Sequence, residues 1–95
     1  MPQDASQTVV IGSPQGLHLR PAHAFATLAS KFSSKITVTR DADSVDGKSI
    51  LDLATLAAAE GHTLVIHASG EDAEQAVEEL AALLAELAQE EKSAE

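Results

Sequence analysis

An apolar stripe in the C-terminal third of the chain is the feature that most constrains the fold. Aliphatic side chains recur there every three or four residues, at Ala73, Ala76, Val77, Leu80, Leu84 and Leu87. Acidic residues crowd the other side, and Glu71 and Asp72 stand at the predicted helix start, where the helix dipole favours negative charge. A helix with a single apolar face must bury that face against a second layer of the protein.

That second layer is predicted to be a β-sheet. Short β-branched or alternating segments are typical of strands, and they occur at 7–11 (QTVVI), 35–40 (KITVTR) and 62–68 (HTLVIHA). Residues 44–46 can return as a short antiparallel strand after a turn at 41–43.

Two further helices complete the predicted order. Apolar residues at helical spacing between Ala22 and Phe32, with Pro21 in the first turn, indicate a helix of about three turns. Ser49 and Asp52 form a capping-box pattern that starts a short helix, which should stop near Gly61. The order predicts an α+β fold: a two-layer βαββαβα sandwich with three helices on one face of a four-stranded antiparallel sheet.

Size and composition limit the class of protein. With 95 residues the chain is expected to be one domain, with a core at about 7–89 and solvated tails at 1–6 and 90–95. No stretch is apolar enough to suggest secretion or a membrane span. A net charge of −9 argues against binding nucleic acid. The lack of cysteine excludes thiol chemistry and fits a cytoplasmic protein.

The charge is unevenly distributed. Between Ala5 and Arg40 there is no acidic residue, whereas four residues are basic: Arg20, Lys31, Lys35 and Arg40. From Glu60 onward ten acids face a single lysine, Lys92. The N-terminal part is therefore predicted to be locally cationic, which suits a bound anion or an acidic partner.

His18 is the strongest candidate for chemistry, because it stands between a glycine loop and a helix start in the run GLHLRPA (16–22). The first N–H groups of a helix have no partners within it, so they favour a bound anion. Arg20 adds a guanidinium suited to phosphate oxygens. A neutral imidazole nitrogen is a competent nucleophile, and it can attack phosphorus. The alternative is a histidine that serves only as a polar capping residue.

Two other site types are disfavoured. His18 and His23 are five residues apart, which does not put them on one helix face, and His62 and His67 point to opposite faces of a strand, so no metal site is predicted. A serine hydrolase is set aside because no serine lies in a nucleophile-elbow motif.

The run GLHLRPA resembles the phosphorylation-site signature of HPr, the histidine phosphocarrier family of the bacterial phosphoenolpyruvate-dependent sugar phosphotransferase system. GKSIL, starting at Gly47, resembles the second signature of that family. The resemblance extends from about Val9 to Leu87, and the predicted order of elements is the family's open-faced sandwich. It implies a phosphoryl-group carrier within a relay rather than a stand-alone enzyme.

The resemblance also implies residue roles and partners. His18 would accept the phosphoryl group through Nδ1, Arg20 would stabilise it, and Ser49 matches the serine that an HPr kinase/phosphorylase modifies in some lineages. Enzyme I would be the donor and sugar-specific IIA-type domains the acceptors, with no cofactor and a monomeric carrier. The expected docking residues are Leu17, Leu19, Lys48, Ile50 and Leu51, with Phe25 as a further candidate.

The sequence departs from the family pattern in two places, and it leaves a second function open. Position 19 is Leu where a smaller or more polar residue is expected, and Asp46 and Asp52 flank Lys48 near the second helix.

The alternative function is an HPr-like module that is phosphorylated mainly on Ser49 and regulates an enzyme or transcription regulator. Phosphorylation of Ser49 would also add about two negative charges beside the docking surface and slow uptake at His18.

Overall fold

The computed structural model describes residues 3–93 and places them in one sheet and one layer of helices. The strands are β1 (Asp4–Val10), β2 (Lys35–Arg40), β3 (Asp43–Asp46) and β4 (Thr63–Ser69). They form an antiparallel sheet in the order β1-β4-β2-β3. The helices are α1 (Leu19–Ala29), α2 (Ile50–Thr55) and α3 (Ala73–Ser93). The predicted α+β sandwich is confirmed.

The core lies between the sheet and the helices. Along β4 the side chains of Leu64, Ile66 and Ala68 are fully buried, whereas Val65 and His67 on the other face are half-buried. This is the alternation that the sequence predicts for a strand with one covered face. The helices complete the core with apolar side chains that include Ala22, Phe25, Leu53, Ala76 and Leu80.

The predicted tails are wrong on both sides. Asp4, Ala5 and Ser6 belong to β1 and pair with Ser69, Ala68 and His67 of β4. Residues 90–93 continue α3 for another turn. Polar composition suggested solvation at both places, but strand pairing with β4 and continuation of a long helix satisfy the backbone groups there. Residues 1, 2, 94 and 95 of the predicted tails lie outside the described residues.

Helix α2 ends earlier than predicted. It stops at Thr55 rather than near Gly61, and Ala57 takes a left-handed conformation with φ of 50°. Arg40 closes this end, because its Nη1 donates to the carbonyl oxygens of Leu56 at 2.8 Å and of Ala57 at 3.3 Å. A guanidinium satisfies carbonyl groups that have no partner beyond a helix end.

Asp72 joins the start of α3 to the segment that connects α1 and β2. Its Oδ1 accepts hydrogen bonds from Ser34 N at 3.0 Å and Ser34 Oγ at 2.5 Å, and its Oδ2 accepts from Ser33 N at 2.8 Å. These bonds lower the pKa of the Asp72 carboxyl from 3.8 to about 2, chiefly through the Ser34 hydroxyl. The sequence placed this acid at a helix start but did not reveal its contacts with residues 38 and 39 positions away.

No helix within residues 3–93 combines the length and the apolar character needed to cross a membrane.

Candidate functional site

His18 is the residue that caps the N-terminus of α1. Its backbone is extended, with φ of −81° and ψ of −172°, and its carbonyl oxygen accepts the first helical hydrogen bond from Ala22 N at 3.0 Å. Its imidazole makes no capping bond to the helix. The interpretation of His18 as only a polar capping residue is therefore wrong, and the ring is available for other contacts.

The loop before His18 is fixed by backbone bonds to the α2–β4 connection. Leu17 N donates a hydrogen bond to Ala58 O at 2.8 Å. Gly61 N donates to Ile11 O, also at 2.8 Å. Gly16 has φ of 73°, and a Cβ there would run into the Ala58 carbonyl. Glycine is needed at this position because a side chain meets both a disfavoured conformation and a steric clash. The loop thus sets the place from which His18 projects.

Two carboxylates from the end of α3 reach this site, although the sequence predicted a cationic surrounding. Nε2 of His18 lies 2.5 Å from Oε1 of Glu91, and the hydroxyl of Ser13 donates to Oε2 of the same carboxylate. Arg20 lies 3.7 Å from Glu90, and both side chains are more than half exposed. The imidazole retains 30% of its exposure, whereas Glu91 retains 15%.

The predicted cationic cluster does not form around His18. Of its four members only Arg20 lies at the start of α1. Lys31 and Lys35 lie beyond the opposite end of this helix, which is about 16 Å long because each residue adds about 1.5 Å. Arg40 closes α2. The stretch between Ala5 and Arg40 folds into β1, α1, β2 and their connections, so its basic side chains are distributed over several elements.

Sequence reasoning missed Ser13 and Glu91. Ser13 is almost fully buried in the loop, where its carbonyl oxygen accepts from Gly16 N at 2.9 Å and its hydroxyl donates to Glu91. A signal for Glu91 was present, because the apolar stripe of α3 continues from Leu84 to the buried Ala88, and Glu91 comes three residues later. Extension of the helical period would have placed this acid on the inner face of α3.

The expected docking residues divide by burial. Leu19 and Leu51 are 65% and 76% exposed at the N-terminal ends of α1 and α2, as a docking surface requires. Leu17 and Phe25 are 6% and 1% exposed, so the expectation that they contribute to that surface is wrong. Both side chains fill the core that supports α1.

Two further expected docking residues have structural contacts. Ile50 is half-buried against the core, and Lys48 Nζ donates to the carbonyl oxygen of Phe32 at 2.8 Å. Lys48 therefore ties the α2 start to the end of the α1 region, which leaves Leu19 and Leu51 as the principal exposed apolar side chains of the expected surface.

Ser49 caps α2 as predicted, with its hydroxyl accepting from Asp52 N at 3.2 Å. The reciprocal half of the capping box is replaced, because Ser49 N donates to Asp46 O at 3.2 Å rather than to the Asp52 carboxylate. The side chain of Ser49 is half-buried, at the entrance to the helix.

Comparison with known proteins shows the family of this chain. A family model described as the PTS HPr component phosphorylation site matches residues 5–86. The chain belongs to the HPr family. Among HPr relatives, the phosphocarrier protein HPr of Haemophilus influenzae is 49% identical over 79 residues, which cover 83% of this chain and 93% of the relative. The HPr-like protein Crh of Bacillus subtilis is 38% identical over 80 residues, covering 84% of this chain and 94% of the relative.

A solved HPr structure shares the architecture. The histidine-containing phosphocarrier protein of a Mycoplasma superposes with a TM-score of 0.85 at 36% identity, covering 88% of this chain and 96% of that protein. The HPr family model ends at residue 86, whereas α3 continues to Ser93. Glu90 and Glu91 therefore lie in the part of the helix that extends past the matched residues.

Proposed function

We propose that His18 is the phosphoryl acceptor of this phosphotransferase-system phosphocarrier. The observation that carries the proposal is the position of the imidazole: it projects from the N-terminus of α1, partly exposed and without a capping bond. The helix N–H groups and the helix dipole at this end favour a phosphate. His18 and this helix start also fall within the residues matched by the HPr family model.

The chemistry requires one nucleophilic nitrogen. Because Nε2 of His18 faces Glu91, Nδ1 is the ring nitrogen that attacks phosphorus. The Nδ1–P bond forms as the bond between phosphorus and its leaving atom in the donor breaks, and that atom keeps the electron pair. Little covalent work is left to the protein, so positioning and electrostatic stabilisation carry the catalysis.

Arg20 stabilises the transferred group in this proposal. Its guanidinium is 66% exposed and lies 3.7 Å from Glu90, a loose contact that a phosphate can replace. The resulting site is shallow, which suits onward transfer because a phosphate held too firmly would not leave.

The partners follow from the family and from the exposed surface. Enzyme I donates the phosphoryl group, and sugar-specific IIA-type domains accept it; both dock on the surface that includes Leu19 and Leu51. The carrier acts as a cytoplasmic monomer. An HPr kinase/phosphorylase modifies Ser49, and the phosphate placed there slows uptake at His18 by repelling an acidic partner.

A second candidate is a regulatory module that acts through Ser49 alone. It is favoured by the similarity to the HPr-like protein Crh. The carrier function is preferred because a module of that kind would not need the pair of His18 and Arg20 at the start of α1.

One experiment separates the two functions. The purified protein is incubated with phosphoenolpyruvate and Enzyme I, and the phosphorylated product is measured by mass before and after treatment with acid and with alkali. We expect an acid-labile phosphate that is lost in His18→Ala. Acid-stable phosphate alone, or unchanged labelling of His18→Ala, contradicts the carrier function. Incubation with ATP and a host kinase tests Ser49 in parallel.

A further inference from the structure

The last turns of α3 place a carboxylate against the proposed phosphoryl acceptor. Oε1 of Glu91 lies 2.5 Å from Nε2 of His18, and the second carboxylate oxygen accepts the Ser13 hydroxyl. Glu91 is 15% exposed, so water competes poorly for these bonds. Both oxygens are engaged, which fixes the plane of the carboxylate and, through it, the imidazole.

We propose that Glu91 is a positioning residue for phosphoryl transfer at His18, an inference that rests on the proposed function of this histidine. An ionised carboxylate only accepts hydrogen bonds, so the contact requires a proton on Nε2. The tautomer with hydrogen on Nε2 leaves the lone pair on Nδ1, the nitrogen that attacks phosphorus. Glu91 therefore selects both the tautomer and the ring orientation.

The same contact favours the chemical step. When Nδ1 bonds to phosphorus, the ring gains positive charge while its proton remains on Nε2. A carboxylate 2.5 Å from this nitrogen stabilises that charge as it develops. In onward transfer a nucleophilic atom of the acceptor protein bonds to phosphorus as the Nδ1–P bond breaks, the ring takes back the electron pair, and the Nε2 proton again stays in place.

Glu91 lies in the part of α3 that follows residue 86, where the match to the family model ends. Glu90 is adjacent but contacts Arg20 instead, at 3.7 Å. Within residues 87–93 of this helix, Glu91 is thus the acid that contacts the imidazole of His18.

The test compares Glu91→Ala and Glu91→Gln with a matched control, Glu86→Ala. Glu86 is an exposed acid on the same helix, so its substitution removes an equal charge away from the imidazole. Single-turnover transfer from phosphorylated Enzyme I gives the maximal rate and the half-saturating concentration. Nuclear magnetic resonance of the histidine rings detects the Nε2 proton of His18.

Glu91→Ala is expected to lower the maximal rate about tenfold, the effect of losing one hydrogen bond to a charged group, with a smaller change in the half-saturating concentration. The protected Nε2–H resonance should disappear. Glu91→Gln keeps an acceptor without the charge, so it should retain the resonance and transfer at an intermediate rate. Glu86→Ala should match the unmodified protein in both measurements.

Three results would overturn the proposal. The first is transfer by Glu91→Ala at the original rate or faster, the latter indicating that the end of α3 obstructs the site. The second is an Nε2–H resonance that survives Glu91→Ala. The third is a Glu91→Gln rate as low as that of Glu91→Ala although the resonance is retained. Failure of the proposed function itself is seen separately, as acid-labile phosphate that persists in His18→Ala.

Discussion

Asp72 fastens Ser34 to the start of α3 through both the backbone N–H and the hydroxyl of the serine, at 3.0 Å and 2.5 Å. Ser34 is 1% exposed, so loss of the carboxylate would leave its hydroxyl buried without this acceptor. We expect Asp72→Ala to lower the midpoint of thermal unfolding clearly more than Glu71→Ala, the substitution of its exposed neighbour. Circular dichroism of both variants provides the measurement, and equal midpoints would contradict this role.

The pH dependence of stability follows from the same carboxyl. Its pKa is about 2 in the folded protein, below the ordinary value of 3.8 for an aspartate, so the folded state favours the ionised form. The stabilisation is fully present above pH 3.8 and is lost as the pH falls through the folded value of about 2. Urea unfolding between pH 5 and pH 2 should therefore show a steeper loss of stability than the same series with Asp72→Asn. If the stability of the two proteins falls equally between pH 5 and pH 2, the Asp72 carboxyl does not cause this pH dependence.

Gly16 should tolerate substitution less than another glycine with positive φ. Gly16→Ala combines a φ of 73° with a clash against Ala58, whereas Gly61→Ala combines a φ of 89° with open space. Left-handed backbone alone costs about 1–2 kcal/mol for a residue with a Cβ, so both variants lose stability and Gly16→Ala loses more. It should also slow phosphoryl transfer because the loop sets the position of His18. Urea unfolding measures the stability of the two variants, and transfer assays measure their rates of phosphoryl transfer.

Ser49 serves α2 as a cap, and this role can be separated from regulation. Ser49→Ala removes the 3.2 Å bond from Asp52 N and should cost about 1 kcal/mol of stability with little effect on transfer at His18. Ser49→Asp keeps a capping oxygen but adds negative charge, so we expect near-original stability and slower transfer. Transfer by Ser49→Asp at the original rate would argue against regulation through this serine.

Leu51 should contribute to binding the donor without contributing to folding. Its side chain is 76% exposed, so Leu51→Ala should leave the unfolding midpoint unchanged. A contact residue worth about 1.4 kcal/mol would raise the half-saturating concentration of Enzyme I transfer about tenfold. Val10 is also exposed, at 65%, but lies on β1, and Val10→Ala is the control. Equal effects of the two variants would exclude a specific surface at Leu51.

The sequence predicted most of the architecture because its local patterns agree with the fold. The alternation of β4 and the stripe of α3 each assign a buried face, and burial of Leu64 and Leu80 follows from them. The position of His18 before α1 is equally local. The contacts of Asp72 and Glu91 could not be predicted from local patterns. Each contact depends on how elements that are distant in the sequence pack together.

The burial of single loop residues also depends on contacts with distant parts of the chain, which local sequence patterns do not predict. Leu17 stands beside His18 in the sequence and was expected on the surface, but the bond from its backbone to Ala58 turns its side chain into the core. The loop geometry buries Leu17 and leaves Leu19, two residues later, exposed. Composition and proximity in the sequence carry no information about it.

The length of α3 makes the contact between Glu91 and His18 depend on the rotation of the helix at its C-terminal end. Asp72 fixes one end of this helix, and Glu91 reaches the imidazole at the other. Insertion of one residue between Leu80 and Glu91 would turn the acid by about 100° and advance it about 1.5 Å. The sheet and the Asp72 contacts would remain, but the carboxylate would leave the ring. The segment between Leu80 and Glu91 is distant from the GLHLRPA run in the sequence and exposed along one side, and its residue count is therefore constrained more strictly than its residue identities.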